Sequence, residues 1–297
     1  MNFITKLLAT LRSVAHHPLH EREGTRAAWN FCVSQVAARL VPGDVCIPFP
    51  NDTSLLVGPR MKGAAHFIFP GLCEFDTMSF VLHFLRPGEL FVDAGANVGA
   101  YSVLAGGAVG GRVIAFEPGP ATFPYLEKNL RLNRLGQTAR AVNAALGAEE
   151  ATIRFTSGLG TEDHVSVDAA DAHTIEVKQT TLDAALEGEL PVLLKMDVEG
   201  FEIQVMAGAS RTLSNSTLQA IIIERSGIAG RYGGDEADLH ARIRKNSFEP
   251  CAYLPLERKL IRLSPDALGN IIYVRNFDAV QQRLREAPPY RFGKHVV

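Results

Sequence analysis

The chain has 297 residues, 46% of them hydrophobic, with 30 Lys and Arg against 32 Asp and Glu for a formal net charge of −2. That balance describes a globular chain long enough for one large domain or two small ones, and it argues against a dedicated nucleic-acid surface, which shows as a basic excess. No apolar run reaches the roughly 18 residues needed to cross a bilayer, and four cysteines, Cys32, Cys46, Cys73 and Cys251, lie without disulfide-type or metal-type spacing, as expected of reduced, mostly buried thiols in a cytoplasmic protein.

Phe3, Ile4, Leu7, Leu8 and Leu11 recur at helical spacing, so the first segment reads as an amphipathic helix. Lys6 and Arg12 interrupt its apolar face and no small-residue cleavage site follows, which favours packing on its own protein or a partner subunit over a signal or membrane anchor. His16-His17-Pro18 ends it; adjacent side chains point apart, and no third ligand type lies nearby to make a metal site. A second helix is expected from Glu21 to Leu40, stopped by Pro42-Gly43. Short extended runs follow at Val45–Phe49, Ser54–Val57 and Ala65–Phe69, separated by turn signals at Pro50-Asn51-Asp52 and Gly58-Pro59. Residues 1–70 therefore read as a helical and small β extension, a substrate lid or oligomerisation element that leaves a homodimer open, ahead of a domain over 71–297.

That domain begins with a helix from Gly71 to Leu85, closed by Pro87-Gly88. Glu74 and Asp76 lie near its start, where the helix dipole favours acids; Glu74 is kept as a pocket candidate, because a helix just before the first strand can roof a ligand. Leu90, Phe91 and Val92 then form a run suited to a strand buried on both faces. It ends in Asp93, and Gly95 and Gly99 bracket a turn feeding a helix from Tyr101 to Ala105. Strand, glycine turn and helix bring bare backbone up to a nucleotide. A carboxylate at the strand tip is badly placed for a pyrophosphate and well placed for a ligand carrying an ammonium group and no phosphate. S-adenosylmethionine fits that description.

Arg112–Glu117 is a second buried-type strand tipped with an acid, about 24 residues beyond Asp93, close to the roughly 20-residue interval at which an acid grips ribose hydroxyls. A carboxylate at Glu117 can accept from both the 2′- and 3′-hydroxyls. Pro118 and Pro120 precede a helix over Ala121–Asn133. A third strand is expected over Ala139–Ala145, then a hairpin around Gly147 and Ala151–Phe155, then a polar loop from Gly158 to Ala172 with Asp163 and His164, followed by His173. His164 is a candidate for adenine contact or for chemistry on a substrate.

Leu190–Asp197 is the clearest later strand, running into Val198-Glu199-Gly200-Phe201-Glu202 and a helix through Gly208. Asp197, Glu199 and Glu202 crowd one turn. Helix capping explains acids at a helix start, but not their density at a ligand edge with Gly200 between them. A divalent-metal site lacks the alternating oxygen ligands of hard-cation loops, so no metal is assigned. Leu218–Glu224 is a fifth strand tipped with an acid. A glycine-rich loop with Arg231 and Tyr232, a helix over Ala237–Lys245, an antiparallel pair at Phe248–Leu254 and Asn270–Arg275, and a helical turn or two over Val280–Glu286 complete the chain.

Three segments, Val92-Asp-Ala-Gly-Ala-Asn-Val-Gly-Ala-Tyr-Ser102, Phe116-Glu-Pro118 and Lys195-Met-Asp-Val-Glu-Gly-Phe-Glu202, resemble in order and spacing the signatures of FkbM-type methyltransferases, and Ile222-Ile-Glu224 extends the match. The resemblance covers roughly Phe75 to Arg275. It implies a Rossmann-like class I fold, a mostly parallel seven-stranded sheet with an antiparallel last strand, and S-adenosylmethionine-dependent O-methylation of a hydroxyl on a sugar, glycan or natural product. Asn97 stands where glycine is common in the wider class, offering hydrogen bonds at the cost of a less permissive backbone. The expected cofactor residues are Asp93, Gly95, Asn97, Gly99, Tyr101, Glu117, Pro118 and Asp197; Asp197, His164 and Glu199 are the candidates for chemistry, with Asp197 or His164 as base. Two rivals stay open. A non-catalytic S-adenosylmethionine-binding interaction protein would keep the same cofactor residues. A nicotinamide-dependent oxidoreductase would want Gly-x-Gly-x-x-Gly without the preceding acid.

Overall fold

The structure, a computed structural model, describes residues 43–58, 72–158, 163–167, 173–225, 229–265, 267–292 and 295–297. The helices expected before Pro42, with His16, His17, Trp29 and Cys32, and the run Ala65–Phe69 lie outside the described residues. The first described elements are strands β1 (Val45–Phe49) and β2 (Thr53–Val57), an antiparallel hairpin. Its turn places Asn51 and Asp52 at φ 51° and 60°, the left-handed region that these two residue types tolerate best after glycine.

Helix α1 (Phe75–Phe84) leads into β3 (Leu90–Ala94), α2 (Ala100–Val103) with a π-helical turn behind it, β4 (Arg112–Phe116), α3 (Phe123–Leu132) and β5 (Ala139–Val142). The third strand is shorter than its expected span to Ala145, because the chain leaves the main sheet after Val142. Ala145–Leu146 (β6) instead joins β7 (Ala151–Thr156) and β8 (Thr174–Thr180) in a separate three-stranded sheet. Then come α4 (Leu182–Ala185), β9 (Leu193–Met196), α5 (Glu202–Ala207), α6 (Ser210–Ser214), β10 (Ala220–Arg225), α7 (Glu236–Lys245), β11 (Glu249–Leu254), β12 (Lys259–Arg262), β13 (Gly269–Val274) and α8 (Phe277–Arg285).

The main sheet runs β12-β11-β13-β10-β9-β3-β4-β5. Its five strands from β10 to β5 are mutually parallel, and β13, the last, is inserted antiparallel between β10 and β11. An eighth strand, β12, extends the expected seven at the edge. Only Leu260 of its Lys-Leu-Ile-Arg run is buried, so periodicity gives it little signal. The sheet is covered on both faces, as parallel sheets require. One layer packs Phe91, Ala115 and Leu193 against α1, α2, α3, α8 and the β1–β2 hairpin; the other packs Val92, Phe116 and Met196 against α4 to α7. Leu90, Phe91 and Val92 are almost wholly enclosed, each such side chain contributing about 1.5–3 kcal/mol. The hairpin is fastened to the body by buried Asn129, which donates to Leu56 O and Val98 O and accepts from Leu56 N.

Sequential strands proceed outward from β3 to β4 and β5 on one side, and from β9 to β10 on the other. The crevice at the carboxyl ends of β3 and β9 is therefore the switch point of the sheet, where open α/β folds bind ligands.

Candidate functional site

Three strand ends build that crevice. After β3 the backbone turns at Gly95, whose amide and that of Ala96 donate to Phe116 O (3.0 and 2.9 Å). Gly95 has φ +78°, and a Cβ there would sit 1.9 Å from the Asp197 carbonyl oxygen; only a bare Cα lets the β3 and β9 turns meet. Asn97 adopts φ 55°, its side-chain oxygen accepting from Val98 N (2.8 Å). Asparagine thus replaces the glycine common at this point without leaving the left-handed region.

Glu117, at the tip of β4, accepts from Asn97 N (2.8 Å), Gly119 N (2.7 Å) and Thr122 Oγ1 (2.8 Å). Burial raises its pKa, against the pull of these donors. Three of roughly four acceptor positions of a carboxylate are used, so one, on Oε2, is left for a ligand hydroxyl rather than two.

A cavity of about 650 Å³, counting its open mouth, is lined by Gly95, Asn97, Glu117, Pro118, His164, Asp197 and Glu199 together with Phe116, Thr122, Phe155, Val165 and Phe201. His164 and Val165 reach it because the 163–167 segment lies along β7: Thr156 N donates to His164 O and Val165 bridges Phe155. Tyr232, from the loop after β10, donates to Val165 O (2.8 Å) and meets the Phe201 ring edge-on at 4.9 Å.

Asp93, Gly99 and Tyr101 are not on the cavity lining. Gly99 caps α2 at φ +87°. Asp93 is 1% exposed, accepts from Ser102 Oγ (2.7 Å), and leaves Oδ1 without a hydrogen-bond partner among the described residues. Burial raises its pKa, opposed by the charge of Lys195, its register partner across β3–β9. Lys195 is 5% exposed; its Nζ donates to Asp197 Oδ2 (2.8 Å) and lies 4.7 Å from the centroid of the Tyr101 ring. Burial works to lower its pKa, but the carboxylates of Asp197, Asp93 and Glu74 outweigh it and hold the ammonium above its ordinary value. Tyr101 donates to Glu74 Oε2 (2.5 Å) and lies 2.6 Å from Thr77 Oγ1. A polar cluster thus supports the crevice floor from below.

The three acids of the β9 turn divide. Glu202 is buried and turns back to accept from Val198 N (3.2 Å) and Gly200 N (3.3 Å), which makes it a cap; burial pushes its pKa up to about 7. Asp197 and Glu199 face the cavity, Glu199 at φ 56°. Burial would raise the Asp197 pKa, but Lys195 outweighs it and holds it low. Glu224, at the end of β10, hydrogen-bonds Asp197; burial first, then the charge of Asp197, pushes its pKa up to about 8. Among the described residues no three His, Cys, Asp or Glu side chains converge as a metal would require.

Lys195 and Glu224 were absent from the sequence-based site, although a lone cation inside Leu-Leu-Lys-Met and an acid at a strand tip were visible signals. Phe155, Val165 and Phe201 had none, since their place depends on the small sheet folding over the large one. Of the described cysteines, Cys46 is exposed, Cys73 partly buried and Cys251 buried.

The Methyltransferase FkbM domain family matches residues 93–253. Methyltransferase 1 of Beauveria bassiana is 31% identical over 193 residues, covering 54% of this chain and 74% of that protein. Hexuronic acid methyltransferase AglP of Haloferax volcanii is 28% identical over 155 residues, 51% of this chain and 62% of that protein. Among solved structures, the C-terminal domain of precorrin-6Y C5,15-methyltransferase from Rhodobacter capsulatus aligns over 68% of this chain and 86% of its own at 19% identity, with a TM-score of 0.37. Among the described residues no helix is long and apolar enough to cross a membrane.

Proposed function

The chain belongs to the FkbM methyltransferase family, and from that premise we propose that it methylates a hydroxyl group of a sugar, glycan or other natural product at the expense of S-adenosylmethionine. The observation that carries the cofactor assignment is the crevice at the β3–β9 switch point, where bare backbone at Gly95, the Glu117 carboxylate and the Asp197–Glu199 turn face one cavity. These residues suit the group. Glu117 has one acceptor position for a ribose hydroxyl, Phe155 and Val165 offer apolar surface for a base, and the acids of the β9 turn attract a cation. Bound there, S-adenosylmethionine supplies an electrophilic methyl group on a sulfonium.

The chain's own contribution is to hold and shield. Asn97 N and Gly119 N fix Glu117 in place, Lys195 fixes Asp197, and the apolar rings of Phe116, Phe155 and Phe201 line the cavity, so that alignment in a water-poor pocket accounts for most of the acceleration. Asp93 supports the turn through Ser102 and Lys195. We assign residues 1–70 to acceptor coverage or subunit contact, except that the 43–58 hairpin shares the main core.

Calorimetric titration with S-adenosylmethionine, followed by labelled methyl transfer to a panel of sugars and hydroxylated metabolites, tests the reading. Saturable binding with transfer to a hydroxylated acceptor is expected. Binding without transfer across the panel favours a non-catalytic interaction protein, and absence of binding rejects the cofactor assignment.

A further inference from the structure

We infer that Glu224 is the group that takes the proton of the acceptor hydroxyl, with Asp197 as its positioning partner. The inference rests on the methyltransferase reading above and deepens it.

Strand order places the two carboxylates. Glu117 ends β4, Asp197 follows β9, and Glu224 ends β10, so Glu224 stands on the far side of Asp197 from the residue assigned to the ribose. Asp197 lines the cavity and Glu224 lies one strand beyond it, hydrogen-bonded to Asp197 and only partly buried. In this reading the acceptor enters on the β10 side of Asp197, away from Glu117. Asp197 is a poor base: its Oδ2 is occupied by Lys195 Nζ at 2.8 Å, and that cation keeps it ionised. His164 lies on the 163–167 segment along β7, in the small sheet rather than on the β9–β10 edge that carries Asp197 and Glu224.

The charges facing Glu224 are Asp197 and Glu199 of the β9 turn and Glu74 at the start of α1, with Lys195 reaching the same cluster from β9. Burial first, and then the charges of Asp197, Glu199 and Glu74, push the Glu224 pKa up to about 8, so that before cofactor binds it donates to Asp197 near neutral pH. A cationic cofactor adds positive charge beside this cluster and lowers the affinity of Glu224 for its proton. The carboxylate so formed is ready for the acceptor. In the transfer, the acceptor O–H bond breaks and its proton passes to Glu224; an oxygen lone pair forms the new O–C bond. The electrons of the C–S bond remain on sulfur, which leaves neutral, and Glu224 returns the proton to solvent.

Two readouts test this. Cofactor titrations near pH 7.5, in buffers of different ionisation enthalpy, should show wild-type protein releasing a measurable fraction of a proton with S-adenosylmethionine and less with S-adenosylhomocysteine, a zwitterion that lacks the sulfonium charge. Glu224→Gln keeps a hydrogen-bonding partner for Asp197; it should bind cofactor within about threefold of wild type, release no proton, and lose at least about a hundredfold in kcat, the usual scale of general-base catalysis. Glu224→Asp should recover part of kcat. A Glu224→Gln variant that keeps wild-type proton release, or wild-type kcat and pH profile, overturns the assignment while leaving the methyltransferase reading intact. Failure of the wild-type protein to bind cofactor overturns both.

Discussion

Lys195→Met isolates the electrostatics that hold the crevice floor. Methionine keeps the length and much of the volume of the stem, so packing changes little, while the buried cation facing Asp93, Asp197 and Glu74 is lost. At the 2.8 Å Lys195–Asp197 separation, the gross attraction is about 6 kcal/mol at an effective dielectric of 20. Desolvation offsets part of that, and because the Asp197 side chain is 28% exposed the loss lies at or below the roughly 3–5 kcal/mol of breaking a fully buried pair. Such a loss is a large fraction of the roughly 5–15 kcal/mol by which domains are stable. The pH dependence has a definite sign. Asp197 is held below its ordinary pKa, so its contribution is present above about pH 4 and is lost as pH falls through the depressed value; Lys195 is held above its ordinary value, so its contribution is present below about pH 10 and is lost as pH rises beyond it. The deficit should be widest from about pH 5 to pH 10 and shrink in acid, as Asp197 takes up a proton. Urea unfolding of wild type and variant near pH 7 and near pH 2.5, with unchanged m-value, measures it. A variant within about 1 kcal/mol of wild type near neutrality, or a deficit independent of pH, refutes the reasoning.

Glu117→Gln puts an amide donor among the donors Asn97 N, Gly119 N and Thr122 Oγ1; S-adenosylmethionine affinity should fall about tenfold to a hundredfold by calorimetry, the worth of a charged hydrogen bond. Glu202 has its pKa raised to about 7, so wild-type stability should be highest below about pH 4.5 with respect to this group and decline as pH rises through about 7. Glu202→Gln should flatten that part of the stability–pH curve, an effect of order 2–3 kcal/mol in denaturant melts, and identical curves would show that Glu202 ionises freely. The acids Asp197, Glu199 and Glu74 facing Glu224 should favour a neutral hydroxylated sugar over the matching hexuronate by at least about tenfold in kcat/KM, since like charges repel strongly in a poorly solvated site. Equal rates on both would show that the acceptor does not pass this cluster.

Local rules sufficed wherever chemistry and periodicity coincide in a short span. The apolar runs at Leu90–Val92, Val113–Phe116 and Leu193–Met196 had to be buried strands. The left-handed turn between Asp93 and Gly99 required glycine or asparagine, and the acids at Asp93, Glu117 and Asp197 were visible as the tips of three strands. Boundaries were less legible: β5 stops at Val142 because Ala145–Leu146 finds a better partner in β8, and β12 pairs with β11 although only one of its side chains is buried. What depended on tertiary structure was which way each acid faces. Glu202 folds back onto two backbone amides, Asp93 is sealed beneath the turn with Lys195, Glu117 spends three of its acceptor positions on its own chain, and Glu224 meets Asp197 across β10 and β9. Strand alternation alone can say that an acid sits at a strand tip. Whether it caps, supports or reacts is decided by neighbours from distant parts of the chain, because only the packed sheet brings their charges within a few ångströms.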